Sequence, residues 1–110
     1  MTRYRFGDVL FAGLPQSAAP RAKKRPVVVI LDIGDADLVV APITSKPRTG
    51  LGDLAIIHWR RAGLMTPSFV RLAKTSLVLK QRIIRTLGRL AYTDRRQVAD
   101  AWRTLYDLKP

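Results

Sequence analysis

The apolar residues of this chain fall in short runs separated by turn-forming residues, a pattern of strands rather than of long helices. Asp8–Phe11 (DVLF) follows Gly7 and predicts a first strand. Residues 12–24 (AGLPQSAAPRAKK), rich in Pro, Ala and cations, predict a long loop. Pro26–Leu31 (PVVVIL) predicts a buried strand, with Pro26 at its first position, where a missing N–H costs least. Asp32–Asp37 (DIGDAD) predicts a turn, Leu38–Ile43 (LVVAPI) a further strand, and residues 44–53 a loop with one Pro and two Gly. Leu54–Trp59 (LAIIHW) is again strand-like, and residues 60–67 connect it to Ser68–Lys74 (SFVRLAK), whose alternation is imperfect. Leu77–Leu87 predicts one or two more strands around a bend.

The periodicity then changes. Val98, Ala101, Trp102 and Leu105 recur at i, i+3, i+4 and i+7, one face of a helix. Thr93 is placed as its N-cap and Asp94 in its first turn, where the helix dipole favours an anion. Trp102 and Tyr106 read as core anchors rather than as stacking platforms for a ligand. The inventory is mainly β: five to seven short strands and one C-terminal helix, best satisfied by a strongly bent antiparallel sheet or small barrel. At 110 residues, with no linker or repeat, residues 1–110 are expected to form a single domain.

Charge narrows the function. The net charge is +12, and all eight acidic residues are Asp. No Asp lies between Asp53 and Asp94, whereas eight cations do, from Arg60 to Arg89. So lopsided a balance calls for a polyanionic partner: nucleic acid, an acidic protein or a membrane surface. The apolar runs are too short for a bilayer-spanning helix, and the N-terminus lacks the pattern of a secretory signal, so a cytoplasmic protein without a membrane partner is expected. With no Cys, no Glu and one His, disulfides are excluded and a zinc centre is not expected.

Familiar catalytic sets are missing. His58 reads as a strand-end residue rather than a general base, and without Cys or a second His the usual triads and paired-histidine chemistry are absent. No phosphate-loop motif occurs. Asp32, Asp35 and Asp37 lie close enough in sequence to suggest a Mg²⁺ site, but an Asp-rich turn between strands is the simpler reading. Cations and hydroxyls remain. Arg25 opens one strand and Thr44–Ser45 close another, so pairing of those strands would set them on one rim. A guanidinium fork suits a phosphate, and hydroxyl donors can follow a developing oxyanion. Such a set activates water poorly but serves a substrate that carries its own nucleophile, as RNA does in its 2′-OH.

The residues that carry a resemblance are FGDVL (6–10), KKRPVVVI (23–30), VVAPITSK (39–46), AGL (62–64) with PSFVRLAK (67–74), LGRL (87–90) and the closing helix. In this order and spacing the chain resembles the MazF/PemK toxins, the ribonuclease members of type II toxin–antitoxin pairs. The resemblance implies an SH3-like barrel with a C-terminal helix, a homodimer, and metal- and cofactor-independent, sequence-specific cleavage of single-stranded RNA in a groove at the dimer interface. It puts the catalytic arginine at Arg25 and the catalytic threonine at Thr44. Lys23, Lys24, Ser45, Lys46 and Lys74 are assigned to RNA binding. Because a guanidinium stays protonated, Arg25 is expected to clamp the scissile phosphate rather than to move a proton. Asp8 is a candidate proton acceptor, against a turn role beside Gly7. The family's Gly-rich segment before the Arg-Pro pair is replaced by QSAAPRAKK (16–24). Within that segment Arg21, Lys23 and Lys24 are expected to form a mobile basic loop. An acidic antitoxin would occupy the same basic groove. Two other readings stay open: a non-catalytic toxin on the same barrel, of the gyrase-poisoning kind, and a basic RNA-binding module.

Overall fold

The computed structural model describes residues 2–14 and 23–110. Seven strands precede one helix: β1 (Asp8–Leu14), β2 (Lys23–Leu31), β3 (Asp37–Thr44), β4 (Asp53–Ala55), β5 (Phe69–Arg71), β6 (Ser76–Leu79), β7 (Ile83–Arg89) and α1 (Tyr92–Leu105). All pairings are antiparallel. The sheet runs β7-β1-β2-β3, and the far edge of β3 is shared by β6 along its first half and β5 at its end, with β4 outside β5.

Chain length explains why this sheet curls. β6 and β7 lie four strand spacings apart, about 19 Å if the sheet were flat. Only Lys80–Arg82, a single 3-10 turn, separates them in sequence, and that stretch spans about 14 Å at most. The two edges must therefore approach each other, as the expected small barrel requires. Register breaks between Val9/Leu10 and Phe11/Ala12 on β1 supply local bends.

The apolar runs fill two clusters. Val9, Val28, Ala41, Ile43, Val70, Leu72 and Leu90 form one, covered by Val98, Ala101, Trp102 and Leu105 of α1. The helical face read from periodicity is thus the buried one. Leu10, Ala12, Val27, Val29, Leu38, Val40 and Val78 form the second, on the other side of the sheet. β1 to β3 are buried on both faces, so they read as continuous apolar runs rather than alternating ones.

Several expected boundaries move. The strands β1 and β2 extend inward to Leu14 and Lys23, so both ends of the expected 12–24 loop are strand. Lys23 and Lys24 are held by pairing with Leu14 and Gly13, not in a mobile loop, while Arg21 lies outside the described residues. Pro26 is the fourth residue of β2, one position before the β3 ladder begins at Val27, where β2 is paired on one side only. The Leu54–Trp59 strand stops at Ala55. Asp94 explains why: its carboxylate accepts the N–H of Ile57 (2.9 Å) and of His58 (2.9 Å), diverting both from a ladder into a turn. Asp94 therefore serves the turn. Ala91, not Thr93, occupies the N-cap, and it makes no side-chain capping hydrogen bond. The Ser68–Lys74 run is strand only for Phe69–Arg71 before a 3-10 turn takes over. Tyr106 is exposed and packs against Trp102 with its ring tilted by 41° (ring centroids 4.3 Å apart) instead of anchoring the core.

Candidate active site

A cavity of about 530 Å³ opens where β2 begins and β3 ends. The register explains what meets there. Val27 pairs with Pro42 and Val28 with Ala41; that ladder ends there, and Arg25 and Thr44 each lie two residues beyond its last rung, Thr44 pairing with Phe69 of β5. Both line the cavity, together with Lys23, Ser45 and Lys46. Arg25 is half-buried, and its Nε is buried without a hydrogen-bond partner among the described residues. Thr44 Oγ1 accepts the backbone N–H of Lys46 (3.1 Å). That bond occupies a lone pair and fixes the side chain, which leaves the hydroxyl proton free to donate.

Two expected members stay outside. Lys24 alternates with Lys23 and Arg25 along β2, so its side chain leaves from the other side of the strand; it is exposed and does not line the cavity. Lys74 ends the 3-10 turn Leu72–Lys74 rather than sitting in a late strand, and is also absent from the cavity lining. Asp8 is elsewhere too: its carboxylate accepts the Arg5 N–H (2.8 Å) and lies 3.7 Å from the Arg89 guanidinium. The structural turn role is the one it fills. His58 is an exposed member of the Ile57–Gly63 turn, not a strand end, and does not line the cavity. The DIGDAD segment is a turn: Asp32 accepts the N–H of Tyr4 and of Gly34, and Asp35 that of Asp37.

Other members join them. Arg48 follows Lys46 in the loop after β3, and Arg85 projects from β7. The opposite wall is residues 63–66 and Ser68. Close backbone approach holds that wall in place. A Cβ on Gly63, whose φ is +81°, would strike the carbonyl of Leu87, and a Cβ on Gly88 would lie 2.7 Å from the Ala62 carbonyl oxygen. Only glycine at both positions allows this contact between the wall and β7.

The electrostatics are one-sided. Five cations line the cavity: Lys23, Arg25, Lys46, Arg48 and Arg85. None forms an ion pair among the described residues, and the cavity lining holds no carboxylate and no histidine. Elsewhere, Asp8, Asp32, Asp53, Asp100 and Asp107 each have a cation within 4 Å. The cavity therefore concentrates positive charge that no carboxylate offsets among the described residues.

A family model described as PemK-like, MazF-like toxin of type II toxin–antitoxin system matches residues 5–106. A search of curated proteins gives no match. Among solved structures, the chain is similar to the Mycobacterium tuberculosis toxin MazF-mt6, at 23% identity and TM-score 0.75, covering 94% of this chain and 99% of that one. It is also similar to an endoribonuclease from a mycobacterial species in complex with its cognate antitoxin, at 17% identity and TM-score 0.77, covering 98% and 99%. A third likeness is to an endoribonuclease from a mycobacterial species, at 18% identity and TM-score 0.76, covering 100% and 97%. These likenesses show a shared mainly β fold with a C-terminal helix.

Proposed function

Because the chain belongs to the PemK-like, MazF-like toxin family of type II toxin–antitoxin systems, we propose that it is the toxin of such a pair and cleaves single-stranded RNA in the cavity at the β2–β3 rim. The observation that carries this reading is Arg25 and Thr44 lining one cavity whose five cations have no ion-pair partner among the described residues. Mere RNA binding needs charge; it does not need a half-buried guanidinium in one cavity with an oriented hydroxyl.

The chemistry follows from what the cavity holds. The 2′-oxygen of the nucleotide before the cut attacks its 3′-phosphorus, and the bond from phosphorus to the 5′-oxygen of the next nucleotide breaks. The products are a 2′,3′-cyclic phosphate and a 5′-hydroxyl. The 2′-OH loses its proton and the departing 5′-oxygen gains one. Arg25 contacts the non-bridging oxygens through its planar fork, and the Thr44 hydroxyl donates to one of them. Both contacts strengthen as negative charge builds in the phosphorane. Ser45, Lys46, Lys23 and Arg48 draw in the flanking phosphates. The RNA supplies the nucleophile, so this reading needs no metal or cofactor.

The same charge suits an acidic antitoxin segment competing for the cavity. Residues 1–110 act as one toxin domain inside the cell, as a homodimer whose second copy completes the RNA groove. No helix among the described residues is long and apolar enough to cross a membrane.

Incubation with a long single-stranded RNA in excess EDTA tests the reading. Discrete fragments ending in cyclic phosphate, lost in Arg25→Ala and in Thr44→Ala, are the expected result. Intact RNA with salt-sensitive binding would instead leave a basic binding module, and neither cutting nor binding would favour the non-catalytic toxin.

A further inference from the structure

Phe11 is an aromatic residue in the middle of a central strand, yet it joins neither core cluster. Its neighbours Val9, Leu10 and Ala12 are fully buried, whereas Phe11 is half-buried and lines the cavity. Its ring is faced by the guanidinium of Arg85, whose Cζ lies 5.9 Å from the ring centroid. The register makes this contact: Phe11 pairs with Arg85 on one side and with Pro26 on the other. Arg85 is exposed and has no carboxylate partner among the described residues. Met65, 90% exposed, adds an apolar surface to the same cavity. An apolar ring with an exposed planar cation on its face, inside a cation-lined cavity, has the chemistry of a base-stacking platform.

We propose that Phe11 and Arg85 form a clamp that holds one unpaired nucleobase beside the scissile phosphate, with the base on the Phe11 ring and the guanidinium over it. The inference rests on the RNA-cleaving reading. Phe11 and Arg25 line the same cavity. The clamped base therefore belongs to a nucleotide flanking the cut. The stack costs the free protein little, because Arg85 is exposed and can lift away to admit the base. Such a subsite distinguishes unpaired from paired RNA, since a base within a duplex cannot reach the ring.

The test uses an RNA carrying the mapped cleavage site with a 2′-deoxy group at the cut, so that it binds without being cleaved. A second set carries an abasic unit at each flanking position in turn. With the unmodified protein, one abasic position is expected to weaken binding about ten-fold. In Phe11→Leu the intact RNA is expected to bind about ten-fold more weakly, and that abasic position to cost nothing further. Arg85→Gln, a change at an exposed side chain, is expected to show the same non-additivity at smaller amplitude, and decides the matter if Phe11→Leu does not fold. Unchanged affinity in both variants, or losses that simply add to the abasic loss, overturns the clamp. Because the clamp is scored on binding of uncleavable RNA, failure to cut cleavable RNA would overturn the nuclease reading by itself. Failure to bind either RNA would overturn both.

Discussion

The two ends of the β2–β3 hairpin hold opposite kinds of charge. At the closed end, between Leu31 and Asp37, Asp32 has no side-chain exposure and lies 3.0 Å from Lys80 Nζ, while accepting the N–H of Tyr4 and of Gly34, each at 2.8 Å. At the open end, Arg25 and Lys23 on β2, and Thr44, Ser45 and Lys46 at the end of β3, line a cavity whose cations have no carboxylate partner among the described residues. The sheet is the same, but the purposes differ. A buried charge that is fully partnered holds the fold together and has nothing left for a ligand. Charges left without partners repel one another, which costs the fold stability but readies the site for an anion. Substitutions at the open end should therefore change activity and spare stability; at the closed end the reverse should hold.

The largest expected effect is at Arg25. Arg25→Ala should lower kcat/KM for RNA cleavage by at least about 100-fold, the loss seen when a donor to a developing oxyanion is removed. Thermal stability should hold or rise, because an uncompensated charge is relieved. Arg25→Lys should recover only part of the rate, since an ammonium lacks the fork. A melting temperature that falls with activity would break the comparison. It would mean that Arg25 supports the strand instead of the reaction.

Next is Asp94, which serves the site through the fold. Asp94→Ala leaves the N–H groups of Ile57 and His58 without their acceptor and should destabilise by about 2 to 3 kcal/mol, readable by denaturant unfolding. The turn leads into the 63–68 wall, so KM should rise as well. Asp94→Asn, which keeps one carbonyl acceptor, should recover part of both. A variant that loses stability while KM stays fixed would show that the wall is held by the Gly63–Gly88 contact alone.

Arg25 and Thr44 were legible in the sequence because each abuts an unmistakable strand and neighbouring antiparallel strands align start with end. The α1 face was legible because four apolar residues keep one helical period. Phe11, Arg85 and the 63–68 wall were not. Their approach depends on β1–β7 pairing across more than 70 residues, with two register breaks, and on two glycines that permit backbone contact. Phe11 was hidden for a further reason. In a strand buried on both faces, every position of DVLFAGL looks like core, and alternation cannot single out the one ring that packs elsewhere. LAIIHW misled because local propensity favoured a strand while a carboxylate 36 residues away claimed its N–H groups.

A smaller effect is expected at the closed end. The Asp32 pKa is lowered from 3.8 to about 2, chiefly by the Tyr4 N–H, with burial opposing and the Gly34 N–H and Lys80 adding to the lowering. A carboxylate with a depressed pKa in the folded state stabilises fully above its unfolded value. That contribution drains away as pH falls from about 4 towards 2. Asp32→Asn should cost about 2 kcal/mol at neutral pH and should flatten the acid limb of the stability curve in this window. Cleavage at neutral pH by the folded fraction should be unchanged. An activity loss larger than the loss of folded protein would couple the two hairpin ends and undo the contrast between them.

The smallest effect separates neighbours. Lys23 and Lys24 carry the same charge on consecutive residues of β2, but only Lys23 lines the cavity. If the cavity is where phosphates sit, Lys23→Ala should lower RNA affinity several-fold and reduce the slope of log affinity against log salt by about one. Lys24→Ala should leave the slope nearly intact, because a charge on the opposite side contributes only through a field that ~0.15 M salt screens within about 8 Å. Neither variant should shift the unfolding midpoint measurably, since neither lysine has an ion-pair partner among the described residues. Equal slopes for the two variants would show that net charge, rather than strand alternation, decides which cations meet the RNA. The open end would then act as a diffuse attractor instead of a site with two sides.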